Sequence, residues 1–389
     1  MRHGESCSLN FGVGEAMSDL QKKILVLGLG GAGCNTIARI APRAPESMEF
    51  AVMDCDFQTL ETCSNIENRL AVGKALTDGM STGGDLEVGR RCADSAAGQI
   101  ETLLSGIDLL IVITGLGGGF GTGAAPVIAR IARHLGATTL FFTVLPFPFE
   151  GLVAQGKAHS ALRKLRTYAD AIVQMPNALI QPEGSVLLEE SLENSSRTLA
   201  AGVIGVWRML AYTGVCNLDF SSLQTMLSYC DAFCRFATAT ATGEGRADAL
   251  IDSLHSHPLV KDDSVFETAP GIIIGITGGD DMKLSEIQQI VEALAPKGHE
   301  CWVKMGVAVD SAFTGRISAI VLAAEAWKEP LVDDGRGGLK PLSGDGKQGE
   351  LAGVLKPRSR TFGGAERTIW NGEDLDVPTY IRRKIKLPR

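Results

Sequence analysis

Apolar and polar positions along the first half of the chain follow two alternating patterns. Short runs rich in Leu, Ile and Val with hardly a polar residue predict buried strands, and the stretches between them carry apolar residues at helical spacing. The predicted strands cover residues 24–30, 48–54, 108–114 and 138–147, and the predicted helices cover residues 34–41, 85–105 and 125–136. Strands without a polar face that alternate with amphipathic helices predict an α/β fold with a parallel sheet covered on both faces.

The second half of the chain repeats the pattern on a smaller scale. A proline-free stretch over residues 186–212 carries Leu, Val, Ile and Trp at turn-like spacing and predicts a long spine helix between two domains. Further elements are predicted as strands at 269–279, 300–309 and 315–324 and as a helix at 285–295. We therefore predict a larger first domain over residues 23–185 and a smaller α/β domain with a mixed sheet over residues 213–329.

The two ends of the chain differ from the rest. Residues 1–22 lack the apolar core of a secretory signal, and we predict a disordered lead there. Residues 330–370 are rich in Gly, Pro, Lys and Asp, so their little apolar surface cannot offset the entropy of ordering, and we predict a flexible linker. Residues 371–389 then form a short apolar and basic segment, which predicts a docking peptide at the end of a tether.

Composition excludes several classes of protein. The net charge of −8 argues against a protein that binds nucleic acid over a broad surface. The nine cysteines contain no C-x-x-C pair, which favours reduced thiols over a disulfide framework or a zinc site. No apolar run approaches the ~18 residues that a membrane span requires. We therefore expect a cytoplasmic globular protein without a metal site of its own.

The first glycine-rich loop, "GLGGAG" at residues 28–33, follows a predicted strand and opens a predicted helix. Its glycines fit G-x-G-x-x-G, and Asp54 and Asp56 follow the next strand, where a Rossmann fold carries its ribose-binding acid. An NAD-dependent oxidoreductase is therefore one reading of this loop. On any reading, the missing side chains let backbone N–H groups approach a phosphate at a helix N-terminus.

A second loop, "GLGGGFGTGAAP" at residues 115–126, lies in the same position after another strand. A Rossmann unit needs one such turn, whereas two helix N-termini that converge on one site suit a ligand with several phosphates. The alternative is that both loops only allow close packing of helix on strand. The chain has no G-x-x-x-x-G-K-[ST], so it is not a P-loop protein.

At this point the sequence resembles the FtsZ family, the bacterial homologues of tubulin. The likeness runs from Lys23 to Trp327 and is carried by "GLGGAGCN", "LTDGMSTGGDLEVG", "GLGGGFGTGAAPVIA", "PFPFEG", "GVCNLDF", "TGEGRADAL" and "GIIIGITGG". The final "EDLDVPTYIRR" is similar to the tail peptide of the family, which docks on membrane tethers and other division proteins. The resemblance implies a GTP-binding domain, a spine helix and a C-terminal activation domain.

The resemblance also implies which residues meet GTP or GDP. Asn35 would reach the phosphates and the base, Thr82, Gly83 and Gly84 would sense the terminal phosphate, and Glu150 and Asn177 would bind the ribose and base. The remaining residues would wrap the phosphates with backbone groups: Gly30, Gly31, Ala32, Gly33, Cys34, Gly117, Gly118, Gly119, Gly121, Thr122 and Gly123. A Mg²⁺ ion would accompany the nucleotide.

Catalysis in this family is shared between subunits, so the resemblance implies a head-to-tail homopolymer that works in cell division. One subunit holds GTP, and the next inserts the loop that here contains Asn217 and Asp219, which would activate the attacking water. The tail at residues 374–383 would bind a membrane tether or another division protein and bring the chain to the division site. Val377, Tyr380 and Ile381 would pack in the partner's groove.

Several positions depart from the family pattern, and they cluster at this site. Ser222 stands where the family has a second acid, Phe120 stands where it has Thr, and Ala154 stands where it has Arg. On the spine helix, Leu192 and Ser196 align with a Phe and an Asp that read the guanine, with a register defined to about one residue. A slow GTPase is one consequence. Another is a catalytically weakened paralogue that co-assembles with an active FtsZ or regulates it.

Overall fold

The computed structural model describes most of the region between the two chain ends. It covers residues 22–177, 188–211, 216, 218–229, 232–260, 265–295 and 301–326, with four short strands beyond them. The predicted lead at 1–22 lies outside the described residues except for Lys22. Of the predicted linker and docking peptide, only those four short strands are described, and residues 375–383 of the tail lie outside.

The described chain alternates strands with helices as far as its last long strand. The long strands are β1 (Ile24–Leu29), β2 (Glu49–Asp54), β3 (Asn68–Ala71), β4 (Leu109–Gly115), β5 (Thr138–Leu145), β6 (Ala171–Pro176), β7 (Ala232–Thr242), β8 (Gly271–Gly278), β9 (Trp302–Val309) and β10 (Arg316–Ala324). The helices are α1 (Gly30–Ile40), α2 (Phe57–Thr62), α3 (Lys74–Thr77), α4 (Leu86–Ser95), α5 (Ala97–Leu104), α6 (Phe120–His134), α7 (Leu152–Tyr168), α8 (Leu188–Ala211), α9 (Phe220–Tyr229), α10 (Arg246–His255), α11 (Val265–Thr268) and α12 (Leu284–Leu294). Short 3-10 turns lie at Ala41–Arg43, Pro148–Glu150 and Ser311–Phe313.

All ten long strands belong to one sheet, in the order β3-β2-β1-β4-β5-β6-β7-β10-β8-β9. Every pairing from β3 to β7 is parallel, β10 runs antiparallel to β7 and β8, and β8 and β9 are parallel. The predicted parallel sheet and the predicted mixed sheet are therefore both present. They are continuous, because β6 pairs with β7 over three residues from Ala171 opposite Ala232.

The parallel part of the sheet is covered on both faces, as its apolar strands predict. On one face Val26 and Ile111 pack with α1 and α8, and on the other Leu27 and Val112 pack with α4, α5, α6 and α7. Every residue of β1 is buried. This two-sided burial fixes the strands, so the loops at their ends are held in defined positions.

Of two long predicted helices, the spine forms as one helix, whereas the helix at 85–105 is divided into two. The predicted spine is present as α8, Leu188–Ala211. The single helix predicted at 85–105 is wrong in detail, because the chain leaves helical geometry at Ala96, with φ −103° and ψ 15°, and forms α4 and α5 instead. The domain boundaries stay predictions.

The chain from residue 331 onward forms a second compact unit. Its described part consists of two antiparallel pairs, β11 (Leu331–Asp333) with β12 (Leu339–Pro341) and β13 (Ile369–Trp370) with β14 (Glu373–Asp374). Across the described ranges, no helix has both the length and the apolar character to cross a bilayer.

Candidate functional site

A cavity of about 520 Å³ opens where five neighbouring parallel strands end. Its walls come from the segments that follow β2, β1, β4, β5 and β6 at their carboxyl ends, which is where open α/β sheets bind ligands. The lining residues in these segments are residues 54–56, 30–32, 115–116, 118–121, 144–147, 150 and 177, and Thr59, Ser81, Thr82 and Gly84 also line the cavity. We call it the glycine-lined cavity.

Both glycine-rich loops meet at this cavity. A Cβ atom on Gly30 would lie 2.9 Å from the backbone nitrogen of Gly121, and Gly30 has φ +72°, a region that favours glycine. Only residues without side chains allow the two loops to approach this closely. The two turns therefore form a single wall rather than two separate sites.

The helices behind these loops present free N-termini to the cavity. Neither α1 nor α6 has a side-chain cap, and neither has an acidic residue in its first turn. The first N–H groups of both helices therefore lack a partner within the helix and carry its partial positive charge. Helix α4, by contrast, has a capped N-terminus, because the Asp85 side chain accepts hydrogen bonds from the N–H groups of Glu87 and Val88. Two uncapped helix ends at one cavity favour an anionic ligand.

The residues predicted to meet the nucleotide fall into two groups. Those that line the cavity are Gly30, Gly31, Ala32, Thr82, Gly84, Gly118, Gly119, Gly121, Glu150 and Asn177. Those that are not among its lining residues are Gly33, Cys34, Asn35, Gly83, Gly117, Thr122 and Gly123. Several of the second group shape the loops instead: Thr122 Oγ1 accepts a hydrogen bond of 2.9 Å from the Gly117 nitrogen. A Cβ on Gly33 would lie 2.3 Å from the Ile113 carbonyl oxygen, so this glycine lets α1 pack on β4.

The loop at Thr82–Gly84 is held from two sides. Thr82 lies against Gly119, where a Cβ would fall 1.8 Å from the Thr82 Oγ1. From the other side Lys157 on α7 donates a hydrogen bond of 2.6 Å to the Gly84 carbonyl oxygen. Sequence reasoning missed Lys157, since 73 residues separate it from Gly84 and no motif marks it. In the sequence, Lys157 comes three residues after Ala154, the position at which the family pattern has an arginine.

Phe120 lines the cavity without filling it. The residue is 5% exposed and packs in the core between the sheet and α4–α7. The cavity keeps its volume of about 520 Å³ with the ring in place. The substitution at this position therefore leaves room for a ligand.

The polar side chains at the far end of the cavity are tied to backbone or to each other. Glu150 accepts a hydrogen bond of 2.7 Å from the Phe147 nitrogen. Ser195 on α8 donates one of 3.2 Å to the Asn177 Oδ1, and both residues are buried. Ser196, which the alignment placed at the base, lines a different cavity with Arg39 and Arg43. Successive helical residues point about 100° apart, so the α8 side chain that contacts Asn177 is Ser195, which lies within the register of about one residue given for Ser196. The side chain of Leu192 lies outside the described residues.

The two acids that an NAD reading assigns to the ribose are engaged locally. Asp54 is buried, and its Oδ1 accepts hydrogen bonds from the Cys55 and Asp56 nitrogens at 2.7 and 3.3 Å. Burial raises the pKa of Asp54. Asp56 caps α2 by accepting from the Gln58 nitrogen at 3.0 Å. Both carboxylates therefore shape the turn after β2.

The predicted catalytic acid lies at the opposite end of the parallel strands from the cavity. Asp219 precedes α9, and Gln224 of that helix donates a hydrogen bond of 3.2 Å to Thr138, the first residue of β5. Lys22, just before β1, lies 5.4 Å from the centre of the Phe220 ring. Both contacts are with the amino ends of strands whose carboxyl ends carry the cavity. Asn217 lies outside the described residues.

The surroundings of Asp219 keep it ionised. Hydrogen bonds from the Ser221 and Ser222 hydroxyls lower the pKa of this exposed carboxyl group. Ser222, at the position of the family's second acid, is buried, and its backbone nitrogen donates to the Asp219 carbonyl oxygen at 3.0 Å. The loop thus offers one carboxylate, supported by two hydroxyls.

Comparison with known proteins identifies the family of the chain. The sequence profile of the Tubulin/FtsZ family GTPase domain matches residues 23–182, and that of the FtsZ family C-terminal domain matches residues 234–326. Cell division protein FtsZ of Coxiella burnetii (strain RSA 493 / Nine Mile phase I) is 29% identical over 390 residues, covering 96% of this chain and 99% of that protein.

Solved structures agree with the sequence matches. An empty FtsZ dimer from M. jannaschii superposes with a TM-score of 0.71 at 26% identity, over 85% of this chain and 96% of that one. A mutant form of M. jannaschii FtsZ gives a TM-score of 0.72 at 26% identity, over 82% of this chain and 96% of that one. The chain therefore belongs to the tubulin/FtsZ superfamily, the cytoskeletal GTPases that include the FtsZ proteins of cell division.

Proposed function

We propose that the chain binds GTP and GDP in the glycine-lined cavity and assembles head to tail into filaments for cell division. Two uncapped helix N-termini and an N–H-rich wall around about 520 Å³ suit a nucleoside polyphosphate. The alternative dinucleotide reading is weaker, because Asp54 and Asp56 are engaged with backbone N–H groups of their own turn. Guanine is proposed as the base from the family assignment.

The observation that carries the filament proposal is the separation of the cavity from Asp219. The eight residues of β5 span about 25 Å, with Thr138 near α9 at one end and Leu145 at the cavity at the other. One copy of the chain cannot bring its own Asp219 to its own nucleotide. A second copy stacked in the same orientation can, and a structural relative, FtsZ of M. jannaschii, has been solved as a dimer.

In the proposed reaction, water attacks the terminal phosphorus, the bond to the bridging oxygen breaks, and GDP and phosphate are released. The Asp219 of the second copy would orient the water and accept its proton, which is the role of a general base. A low pKa makes this carboxylate a weak base, and Ser222 cannot supply a second charge. We therefore propose slow hydrolysis with retained binding. Mg²⁺ would be held mainly by phosphate oxygens, since the described residues contain no cluster of three His, Cys, Asp or Glu side chains able to hold a metal.

A second candidate is a weakened paralogue that co-assembles with an active FtsZ and tunes it. The replacements at Phe120, Ala154 and Ser222 favour this function. Under either function, residues 374–383 would dock on a membrane tether or division protein and hold the chain at the cytoplasmic face of the division site.

Two measurements on the purified full chain test the proposal. Protein isolated without added ligand should release guanine nucleotide on denaturation, identified by chromatography. Phosphate release from GTP should rise faster than linearly with protein concentration, because each active site needs two copies. The proposal would be overturned if the purified chain neither carries a guanine nucleotide nor binds one that is added. Nucleotide binding without phosphate release by the chain alone, together with phosphate release once an active FtsZ is added, would favour the function of a weakened paralogue.

A further inference from the structure

Two cysteines meet behind the glycine-lined cavity, on the first two helices of the chain. Cys34 lies on α1, two residues after Ala32 of the cavity wall, and Cys63 follows directly on α2, which carries Thr59 of the same wall. The Cys63 Sγ donates a hydrogen bond of 3.4 Å to the Cys34 carbonyl oxygen, so the two residues are in direct contact. We call them the thiol pair.

Both cysteines are 0% exposed, but Cys63 lies directly beneath the surface. Its neighbours in the turn after α2, Thr62, Ser64 and Asn65, are all exposed. The Asn65 Nδ2 atom donates a hydrogen bond of 3.2 Å to the Ala38 carbonyl oxygen and holds this turn against α1. An exposed turn of this kind opens locally without unfolding of the whole chain. A molecule as small as hydrogen peroxide then reaches the Cys63 sulfur.

The two thiols differ in acidity. The contact with the Cys34 thiol lowers the pKa of Cys63 against the effect of burial, and the Thr62 hydroxyl and the Arg69 guanidinium act in the same direction. The same contact, together with burial, raises the pKa of Cys34. Because the thiolate is the reactive form of cysteine, Cys63 is the sulfur that reacts first, and Cys34 is the thiol next to it.

A second pair of neighbouring thiols, Cys55 and Cys92, lacks this difference. Burial is the main cause that raises the pKa of both, and the Asp54 carboxylate acts in the same direction. Cys92 is also covered by backbone, because a Cβ atom on Gly73 would lie 2.2 Å from its Sγ. Neither thiol of this second pair is a thiolate at neutral pH, so the second pair is an internal comparison for the first.

We propose that the thiol pair is a site of reversible disulfide formation by a hydroperoxide, and that the disulfide cross-links α1 to α2 behind the glycine-lined cavity. With hydrogen peroxide, the Cys63 thiolate attacks one oxygen, the O–O bond breaks, and a sulfenic acid and hydroxide form. The Cys34 sulfur then attacks the Cys63 sulfur, the S–O bond breaks, and the hydroxyl group leaves as water with the Cys34 proton. Two electrons pass from the sulfurs to the peroxide, and a dithiol reverses the bond by exchange.

The disulfide connects two parts of the cavity wall. Residues 30–32 of the wall belong to α1, while residues 54–56 and Thr59 belong to α2 and the turn before it. A bond between positions 34 and 63 closes a covalent loop, which restricts the unfolded chain and prevents the turn after α2 from opening away from α1. The cross-link therefore acts on the cavity wall whether or not the chain binds GTP.

Peptide mapping of the full chain tests the site. Brief treatment with hydrogen peroxide at neutral pH, followed by alkylation and mass spectrometry without reductant, should show a Cys34–Cys63 disulfide that dithiothreitol removes. Its yield should exceed that of Cys55–Cys92 at least about tenfold, because only the thiol pair supplies a thiolate. Cys301→Ser removes a half-buried thiol elsewhere and should leave the yield unchanged. No Cys34–Cys63 disulfide, or equal yields in the two pairs, would overturn the inference.

Two variants test the separate roles of the two sulfurs. In Cys34→Ser, peroxide should leave Cys63 as a sulfenic acid that dimedone traps, because the resolving thiol is gone. In Cys63→Ser, Cys34 should stay reduced. Dimedone on Cys34 in the second variant, with none on Cys63 in the first, would contradict the assignment of Cys63 as the nucleophile.

Hydrogen exchange and thermal unfolding measure the cross-link itself. The oxidised wild-type chain should exchange the amides of residues 57–66 at least about tenfold more slowly than the reduced chain, and it should unfold about 5 °C higher. Cys63→Ser should show the same values with and without peroxide, and its untreated unfolding temperature shows whether the variant is folded. A disulfide that leaves exchange around α2 unchanged would overturn the cross-linking of α1 to α2.

Discussion

The ammonium group of Lys157 lies 2.6 Å from the carbonyl oxygen of Gly84 and joins α7 to the loop beside the glycine-lined cavity. The family pattern has an arginine at Ala154, one helical turn earlier on the same face. Lys157 therefore places a cation, from the next turn, on the Thr82–Gly84 loop, of which Thr82 and Gly84 line the cavity. An ammonium group has three donors, and Gly84 uses one of them.

Replacing this cation should weaken nucleotide binding selectively. Lys157→Met keeps the side-chain length but removes the donor that holds the Thr82–Gly84 loop, so we expect GTP affinity to fall about tenfold, as for one charge-assisted hydrogen bond. GDP affinity should change less, because the loop is proposed to face the terminal phosphate. Competition with a fluorescent GTP analogue measures both.

Lys164→Met is the matched control, since this exposed lysine lies two turns further along α7. It should leave both affinities unchanged. An equal loss of GTP and GDP in Lys157→Met would mean that the lysine serves the fold of the loop rather than its contact with the terminal phosphate.

Hydrolysis should respond to the acid missing at position 222. Ser222→Asp places a carboxylate beside Asp219, where it would raise the basicity of the pair by repulsion and give the water a second acceptor. Since general-base catalysis contributes about 10²–10⁴-fold, we expect phosphate release to increase at least about tenfold. Ser228→Asp, at an exposed position further along α9 whose hydroxyl bonds only the Gln224 carbonyl oxygen, is the control and should give little gain. An unchanged rate in Ser222→Asp would show that this position does not limit turnover.

The sequence predicted the elements that depend on local composition. β1 and β4 are apolar on both faces, and the loops at 28–33 and 115–126 are marked by glycines, so each could be located from a short window. Contacts between distant segments leave no such mark. Lys157 meets Gly84 across 73 residues, and the engagement of Ser195 rather than Ser196 depends on how α8 is rotated against β6. Those two facts required the three-dimensional structure.

Acid should destabilise the part of the chain around α10 through a buried histidine. His257 is buried, and its Nδ1 accepts a hydrogen bond of 3.3 Å from the Leu259 nitrogen. Burial lowers the pKa of His257 from 6.5 to about 4. The unfolded chain therefore binds more protons than the folded chain between these two values. Stability is complete above pH 6.5 and decreases as the pH falls towards 4, by up to about 3 kcal/mol.

Urea unfolding of the full chain between pH 4.5 and 7.5 measures this effect. His257→Asn keeps a hydrogen-bond acceptor but does not titrate. The free energy of unfolding of this variant should therefore change less with pH than that of the wild type, with a slope that corresponds to about one proton fewer taken up on unfolding. His255→Gln changes an exposed histidine that contacts Phe266 and should keep the wild-type slope. The same slope in His257→Asn and wild type would contradict the assignment.

Blocking the glycine-lined cavity should abolish nucleotide binding without unfolding the chain. Gly31 lines the cavity, and a Cβ placed on it meets nothing within 4 Å. Gly31→Leu should therefore fold normally and fill space that the phosphates need, lowering GTP affinity at least about a hundredfold, or about 2.7 kcal/mol. Gly98→Leu, an equally unhindered position on α5, is the control for adding a leucine to a helix surface. Wild-type GTP affinity in Gly31→Leu would place the nucleotide elsewhere.

Mixing two inactive chains tests whether neighbouring copies share the active site. Gly31→Leu keeps Asp219 but has a blocked cavity, while Asp219→Ala keeps the cavity but lacks the acid, so each alone should release little phosphate from GTP. In an equimolar mixture, a head-to-tail contact is competent only when an Asp219→Ala cavity meets the acid of a Gly31→Leu chain. Random assembly makes about a quarter of the contacts competent, and activity should recover to about that fraction. A mixture no more active than its components would show that the cavity and Asp219 do not act together across a contact.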